Sequence, residues 1–198
     1  MRSGKEVKRR SVFLNFPFDQ TYEPLFVALL STLVALGRVP RCVLEVPDQG
    51  DGRLVRLLRL ISSCPVSIHE LSRVGLPVRF NMPFELGLAV AWQKANPTKH
   101  TWFVFEEKAY RVLKSLSDLN GTDPHIHDGQ VAGVMRELAN AFQRTRNRPS
   151  VPEMMRTYRT LSRSSARIIA EAGARDLFEA RAFQLLCFEA KVASKQFD

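Results

Sequence analysis

The spacing of apolar and polar positions predicts strands and helices that alternate along the first 144 residues. Short apolar runs rich in β-branched and aromatic residues predict strands, and they occupy residues 11–16, 41–46, 66–71 and 101–105. Apolar positions three and four residues apart predict helices, at residues 22–36, 53–62, 83–94, 108–116 and 130–144. Residues 72–81 and 117–129 are expected to be irregular. This alternation favours βαβ units, and therefore an α/β fold with a mainly parallel sheet between two helical layers.

The last part of the chain has a different pattern. Residues 147–198 predict two helices with a break near Gly173, and their apolar positions are dense enough to require a partner surface. We therefore predict three segments: a flexible basic tail at 1–10, an α/β domain at 11–146, and a C-terminal helical hairpin at 147–198.

Composition narrows the class of protein. The chain is 45% hydrophobic and 25% charged, which is ordinary for a globular protein. It contains no apolar run long enough to cross a bilayer, and residues 1–10 do not resemble a secretory signal. Its cysteines, Cys42, Cys64 and Cys187, have no paired spacing and lie in apolar contexts. They predict buried thiols of a cytoplasmic protein, without disulfides.

The net charge of +9 lies at the two ends of the chain. Residues 1–10 hold five basic residues and one acid, and residues 144–198 hold eleven basic residues and six acids. The segment between them carries thirteen charges of each sign. A neutral central segment does not favour nucleic acid as the partner.

The most informative residue for chemistry is Glu85, a single carboxylate in an apolar stretch. Pro83 suits the first position of a helix, which places Glu85 at the third position, near free N–H groups that favour its ionised form. Such a carboxylate can stabilise or attack the positive charge that develops when a ribosyl N-glycosidic bond breaks. It can equally be half of a capping box, although Met82, at the N-cap, offers no side-chain acceptor.

Ligands of parallel sheets bind beyond the carboxyl ends of the strands, at a switch in strand order. Side chains near those predicted ends are therefore candidates for binding a substrate; they are Phe16, Pro17, Phe18, Asp19, Tyr22, Asp48, Arg53, His69, Arg79, Asn81 and Met82.

Most of these candidates have a structural alternative. The aromatic residues can stack on a base or belong to the core, and Asp19 can accept a ribose hydroxyl or cap a helix. Arg53 can contact a phosphate or lie on a solvated turn. His69 can bind a ligand or form hydrogen bonds within the protein interior. His125, His127 and Asp128 lack a third, distant ligand, so no metal site is predicted.

Four short motifs occur in the order found in a known family. Residues 12–19 (VFLNFPFD), 69–73 (HELSR), 80–87 (FNMPFELG) and 117–123 (SDLNGTD) resemble bacterial TIR-like proteins, a group similar to Toll/interleukin-receptor (TIR) domains and to nucleoside 2-deoxyribosyltransferases. The resemblance covers roughly residues 11–142 and thins out in the C-terminal helices.

The resemblance implies a flavodoxin-like fold and cleavage of an N-glycosidic bond in NAD, a nucleotide or a nucleoside. It assigns Glu85 the position of the family's essential glutamate, within a Glu-x-Gly-x-Ala frame completed by Gly87 and Ala89. The transferases carry an acid shortly before that glutamate, where this chain has Arg79 and Asn81. NAD tolerates this difference because its nicotinamide leaves without needing a proton.

The resulting hypothesis is a cytoplasmic N-glycoside hydrolase for which NAD is a substrate and not a cofactor. The resemblance further implies a homo-oligomer, an activating partner and a role in bacterial defence. One alternative is a non-catalytic nucleotide-binding or scaffold module. Another is a nucleoside N-glycosidase or deoxyribosyltransferase.

Overall fold

Parallel strands form the centre of the molecule. The computed structural model describes residues 4–45, 52–73, 80–119, 121–143 and 148–195. Within them, the strands are β1 (Ser11–Asn15), β2 (Val39–Arg41), β3 (Val66–Glu70), β4 (Thr101–Glu106) and β5 (His125–Ile126). They form one sheet in the order β2-β1-β3-β4-β5, and every neighbouring pair is parallel. This is the strand order of flavodoxin-like folds, so the predicted fold class is confirmed.

Helices cover both faces of the sheet. They are α1 (Gly4–Arg10), α2 (Glu23–Ala35), α3 (Arg53–Ser63), α4 (Asn81–Ala95), α5 (Arg111–Ser115), α6 (Val131–Ala141), α7 (Val151–Ala172) and α8 (Ala180–Lys195). Within the described residues, none combines the length and the apolar character needed to span a bilayer.

One face of the sheet carries the larger apolar cluster. Helices α2, α6, α7 and α8 contribute to it, together with Val12 and Leu14 of β1. Helix α2 is buried almost all round, from Phe26 to Val34, because the sheet lies on one side and α7 and α8 lie on the other. The predicted C-terminal hairpin is therefore present, and it shares one hydrophobic cluster with the α/β segment.

Helices α3 and α4 pack on the opposite face. Phe13, which lies between Val12 and Leu14 on β1, points to this side and contacts a cluster that includes Leu57, Ile61 and Ala89. A neighbouring cluster contains Leu86 of α4 and Val104 of β4. The alternation of side chains along β1 therefore supplies both layers, as expected of a strand buried on both faces.

Three sequence predictions differ from the structure at the ends of elements. Residues 4–10, expected to be part of a flexible tail, form α1, in which Arg10 and Glu6 pair one turn apart at 3.8 Å. The second strand ends at Arg41, and residues 43–45 form a 3₁₀ helix. Cys42 is buried and Leu44 half-buried in this segment, by packing against the apolar cluster and not by strand pairing. The predicted irregular region contains β5, whose two residues are too few for a periodic signal.

The thiols largely follow the prediction. Cys42 and Cys64 are buried and Cys187 is half-buried, and all three are free. Burial raises the pKa of Cys64 to about 11 and that of Cys187 to about 12. They are therefore unreactive thiols at neutral pH.

Candidate active site

A crevice opens at the carboxyl end of β1. Its volume is about 300 Å³, including space that is open to solvent. Strand β1 lies between β2 and β3, so the chain crosses the sheet in opposite directions on its two sides. This is the switch point at which parallel sheets bind ligands. The residues that line the crevice are Leu14, Asn15, Phe16, Phe18, Val43, Arg53, Asn81, Met82 and Glu85.

Glu85 lies deeper in α4 than the sequence indicates. The N-cap is Phe80 and the helix begins at Asn81, so Glu85 is the fifth helical residue and not the third. Pro83 is tolerated because it takes the last position whose N–H has no intrahelical acceptor. The first backbone bond of this helix runs from Phe84 N to Phe80 O at 3.3 Å. Glu85 is therefore beyond the first turn, where support from the helix dipole fades, and a capping box is ruled out.

Burial and two polar neighbours set the electrostatics of Glu85. The residue is 4% exposed, and desolvation raises the pKa of its carboxyl above the ordinary value. Arg53, whose guanidinium lies 3.8 Å from Oε1, and a hydrogen bond from Asn81 both act to lower that pKa. The expectation that the helix start alone keeps Glu85 ionised is wrong. Arg53 and Asn81 are the groups that favour the charged form.

Several predicted binding residues meet in this crevice. Phe16, Phe18, Arg53, Asn81, Met82 and Glu85 all line it. Four other candidates in the described chain, Pro17, Asp19, Tyr22 and His69, are not among the lining residues. The remaining candidates on loops, Asp48 and Arg79, lie outside the described residues.

The aromatic candidates divide between the core and the crevice. Tyr22 is buried and stacks on Phe16, with ring centroids 6.4 Å apart, and Phe16 in turn stacks on Phe26 at 4.6 Å. Burial and the nearby Glu70 carboxylate raise the pKa of Tyr22, whose hydroxyl has no hydrogen-bond partner in the described chain. Phe18 is half-buried and meets Phe16 edge-on. Phe18 is therefore the most accessible ring for a base.

Asp19 adopts the capping role that the sequence left open. Its carboxylate accepts the N–H of Tyr22 at 3.0 Å, and so caps the 3₁₀ helix Gln20–Tyr22. Arg73 binds the same carboxylate through two nitrogens, at 2.7 and 3.2 Å. A ribose hydroxyl would have to compete with these donors.

His69 belongs to a buried chain of hydrogen bonds that begins at the crevice. Asn15 Nδ2 lies 3.1 Å from His69 Nδ1 and donates to Met82 O at 3.0 Å. His69 Nε2 contacts Ser67 Oγ at 2.9 Å, and Ser67 Oγ contacts His100 Nε2 at 2.9 Å. Burial lowers the pKa of His69 to about 3, so the imidazole is neutral. The sequence analysis missed Asn15, whose only signal is an amide at the end of an apolar strand.

A second buried polar cluster lies at the ends of β3, β4 and β5. Glu70 Oε2 accepts from His127 Nε2 at 3.0 Å, and Glu70 Oε1 accepts the N–H of Ser72 at 2.8 Å. Glu106 pairs with Arg111, which also donates to Ser72 O at 2.8 Å. Among the described residues, no group of three potential ligands is arranged to hold a metal ion. This cluster was not predicted from the sequence, because Glu70, Glu106 and His127 are far apart along the chain.

The fold and the crevice are the whole basis for an assignment. No family model and no curated protein matches this chain. The function must therefore be argued from the residues of the crevice, with the motif resemblance as a guide.

Proposed function

We propose that the chain hydrolyses the N-glycosidic bond of a nucleotide, with NAD as the preferred substrate. The observation that carries the proposal is the Glu85 carboxylate. It is nearly buried, lines a crevice at the switch point of a parallel sheet, and has a cation and an amide beside it. A strongly desolvated carboxylate in a cleft is a common feature of catalytic sites.

The proposed reaction breaks the bond between C1′ of the ribose and the nicotinamide nitrogen. The bonding electron pair moves to that nitrogen, and the cationic ring leaves as neutral nicotinamide. The positive charge that develops at C1′ is stabilised by ionised Glu85, whose effect is large because little water surrounds it. Water then adds to C1′ and loses a proton, which gives ADP-ribose.

The lining fits a leaving group that needs no acid. Among the described lining residues, Glu85 is the only carboxylate, and the other polar ones are Asn15, Arg53 and Asn81. The nicotinamide ring of NAD is already cationic and leaves as a neutral molecule, whereas most nucleosides need a proton on the base. This difference supports NAD over a nucleoside.

The lining of the crevice, and not its size, supports binding of the reacting half of the dinucleotide, the nicotinamide riboside half. Phe18 and Arg53 both line the crevice with Glu85. We propose that this half enters the crevice, with the ring against Phe18, and that the pyrophosphate and adenosine extend over the surface. Arg53, whose side chain is 59% exposed, is the proposed phosphate contact.

The setting of this activity is also a proposal. Three free thiols agree with a cytoplasmic protein. Phe80 and Phe84, the two exposed aromatics at the start of α4, support a homo-oligomer whose second copy covers them. An activating partner and a role in defence follow from the motif resemblance alone.

A non-catalytic nucleotide-binding module is the second candidate. The observation that favours it is the Arg53 ion pair, because a neutralised carboxylate stabilises a cation less well. In this case Glu85 would serve as a hydroxyl acceptor. A nucleoside N-glycosidase or deoxyribosyltransferase is the third, and its products would identify it.

The test compares Glu85→Gln with Glu137→Gln. Glu137 is a matched control because it is also largely buried and paired, with His125 at 3.1 Å, but lies on α6 away from the crevice. Each purified protein is incubated with NAD, nucleotides and nucleosides, and the products are separated by chromatography. We expect nicotinamide from wild type and from Glu137→Gln, and a loss of about 100-fold or more in Glu85→Gln.

Each other result removes a candidate. Equal activity in Glu85→Gln and wild type contradicts the proposed role of Glu85. Binding of NAD without turnover by wild type, even at high protein concentration, supports the binding module. A free base or a transferred sugar from nucleosides supports the third candidate.

A further inference from the structure

Asn15 lies in the crevice beside the residues that surround Glu85. It is the last residue of β1 and is 4% exposed. Its Nδ2 group has two protons and two partners, Met82 O at 3.0 Å and His69 Nδ1 at 3.1 Å. Met82 lies in the first turn of α4, three residues before Glu85, so this amide connects the end of β1 to the helix that carries the carboxylate.

The two partners fix the orientation of the Asn15 carboxamide. Met82 O can only accept, so the nitrogen of Asn15 must point to it. His69 Nδ1 must then accept as well, which leaves the ring proton on Nε2.

That tautomer is consistent with the rest of the chain of hydrogen bonds. His69 Nε2 donates to Ser67 Oγ, Ser67 donates to His100 Nε2, and His100 Nδ1 donates to Cys64 O at 2.8 Å. Every side chain in this hydrogen-bonded series is then neutral and has a hydrogen-bond partner. The orientation of Asn15 is therefore determined by a buried network and not by the ligand.

The oxygen of Asn15 remains available. Within the described part of the chain, no donor is hydrogen-bonded to Oδ1. Asn15 Oδ1 is not one of the fully buried side-chain atoms that lack a hydrogen-bond partner. Asn15 itself lines the crevice. A fixed acceptor at the wall of a binding crevice selects for a ligand with a hydroxyl or N–H donor at that point.

We propose that Asn15 Oδ1 accepts a hydrogen bond from a ribose hydroxyl of the bound nucleotide, and so selects ribose over deoxyribose. This inference rests on the proposed nucleotide substrate. Ribose is the matching chemistry because its 2′- and 3′-hydroxyls lie on the same ring as C1′, the atom that must lie next to Glu85. Asn15 is a specificity residue in this scheme, and Ser67, His69 and His100 hold it in place.

The test measures binding of NAD and of its analogues that lack the 2′- or the 3′-hydroxyl on the nicotinamide ribose. Calorimetry is done in the Glu85→Gln background, so that no bond is cleaved during the titration. Asn15→Leu removes the acceptor at similar size. Asn96→Leu is the matched control, because Asn96 Nδ2 also donates to a carbonyl, Trp92 O, but at the opposite end of α4.

We expect one of the two deoxy analogues to bind about tenfold more weakly than NAD when Asn15 is present, the effect of one hydrogen bond. In Asn15→Leu, NAD is expected to bind about tenfold more weakly and the preference to vanish. Asn96→Leu is expected to keep the preference. A general loss of structure would not change the ratio of two affinities, so the ratio isolates the contact. If Asn15→Leu does not fold, Asn15→Ser is used for the same ratio.

Other results overturn the inference or separate it from the proposed function. An unchanged ratio in the Asn15 variant, or no preference when Asn15 is present, overturns it. Absence of any nucleotide binding overturns both proposals. A preference that depends on Asn15, in a protein that never cleaves NAD, supports this inference while the proposed hydrolysis fails.

Discussion

Two glycines within helices predict opposite responses to the same substitution. Gly87 in α4 has no atom within 4 Å of the place where a Cβ would stand. At Gly133 in α6, a Cβ would lie 2.1 Å from His127 O and 2.8 Å from His127 C. We therefore compare Gly87→Ala with Gly133→Ala.

The magnitudes come from two competing effects. Alanine in a helix interior is favoured over glycine by about 1 kcal/mol, and only this effect operates at Gly87. At Gly133 the new carbon must gain more than roughly 1 Å of clearance from a backbone, since carbon atoms pack at about 3.5–4.0 Å. Overpacking of this kind costs about 1–3 kcal/mol. We expect Gly133→Ala to be destabilised, and to be less stable than Gly87→Ala by about 2 kcal/mol.

Urea denaturation followed by circular dichroism measures both variants against wild type. Thermal unfolding is an independent check, because 1 kcal/mol corresponds to about 2–4 °C for a domain of this size. If Gly133→Ala is as stable as Gly87→Ala, then α6 does not lie against the backbone of His127 as described. The result bears on the Glu70–His127 pair, whose imidazole is carried by that segment.

Three further predictions concern titration and capping. Because burial raises the Glu85 pKa, the folded state holds that proton more tightly than the unfolded state. The free energy of unfolding therefore falls as pH rises from the ordinary pKa of Glu85 towards its raised pKa in the folded state. Glu85→Gln should be more stable than wild type at pH 7 and should lose this advantage below its ordinary pKa of 4.5; a less stable variant at pH 7 contradicts this. The pKa of His69 falls from 6.5 to about 3, so wild type should lose stability as pH drops from 6.5 towards 3. His69→Gln should flatten that slope in urea titrations, and an unchanged slope would exclude His69 as its source. Asp19→Ala should lower the free energy of unfolding by about 1 kcal/mol through loss of the cap. Asp19→Asn should keep most of the stabilisation that the cap provides, because an amide oxygen can also accept the N–H. Equal losses would assign the effect to Arg73.

The fold was predictable where the sequence carries a strong local signal. Strands β1, β3 and β4 have mostly buried side chains. Their existence and parallel pairing followed from the alternation of short strands with helices along the chain. The weaker elements did not. Strand β2 pairs through three residues at the sheet edge, and the apolar residues after it are buried by α8 and not by another strand. Such tertiary packing produces no periodic pattern of apolar residues in the sequence.

The site was predictable in its residues more than in its physics. Polar and aromatic residues near strand ends identified Glu85, Arg53 and Asn81, all of which line the crevice. The prediction that the helix start keeps Glu85 ionised was wrong, because α4 begins two residues earlier than Pro83 indicated. Asn15 was missed since its role depends on His69 and Met82, which lie 54 and 67 residues away along the chain.

The burial of α2 has a consequence for synthesis of the protein. Helix α2 is synthesised well before two of the helices that cover it, α7 and α8, which come last among the described elements. Until then, an apolar surface from Phe26 to Val34 has only part of its native cover. Contacts this distant along the chain form slowly, and partly covered apolar surfaces aggregate. We therefore expect the nascent chain to expose this apolar surface for longer than an α/β unit that completes its own core would.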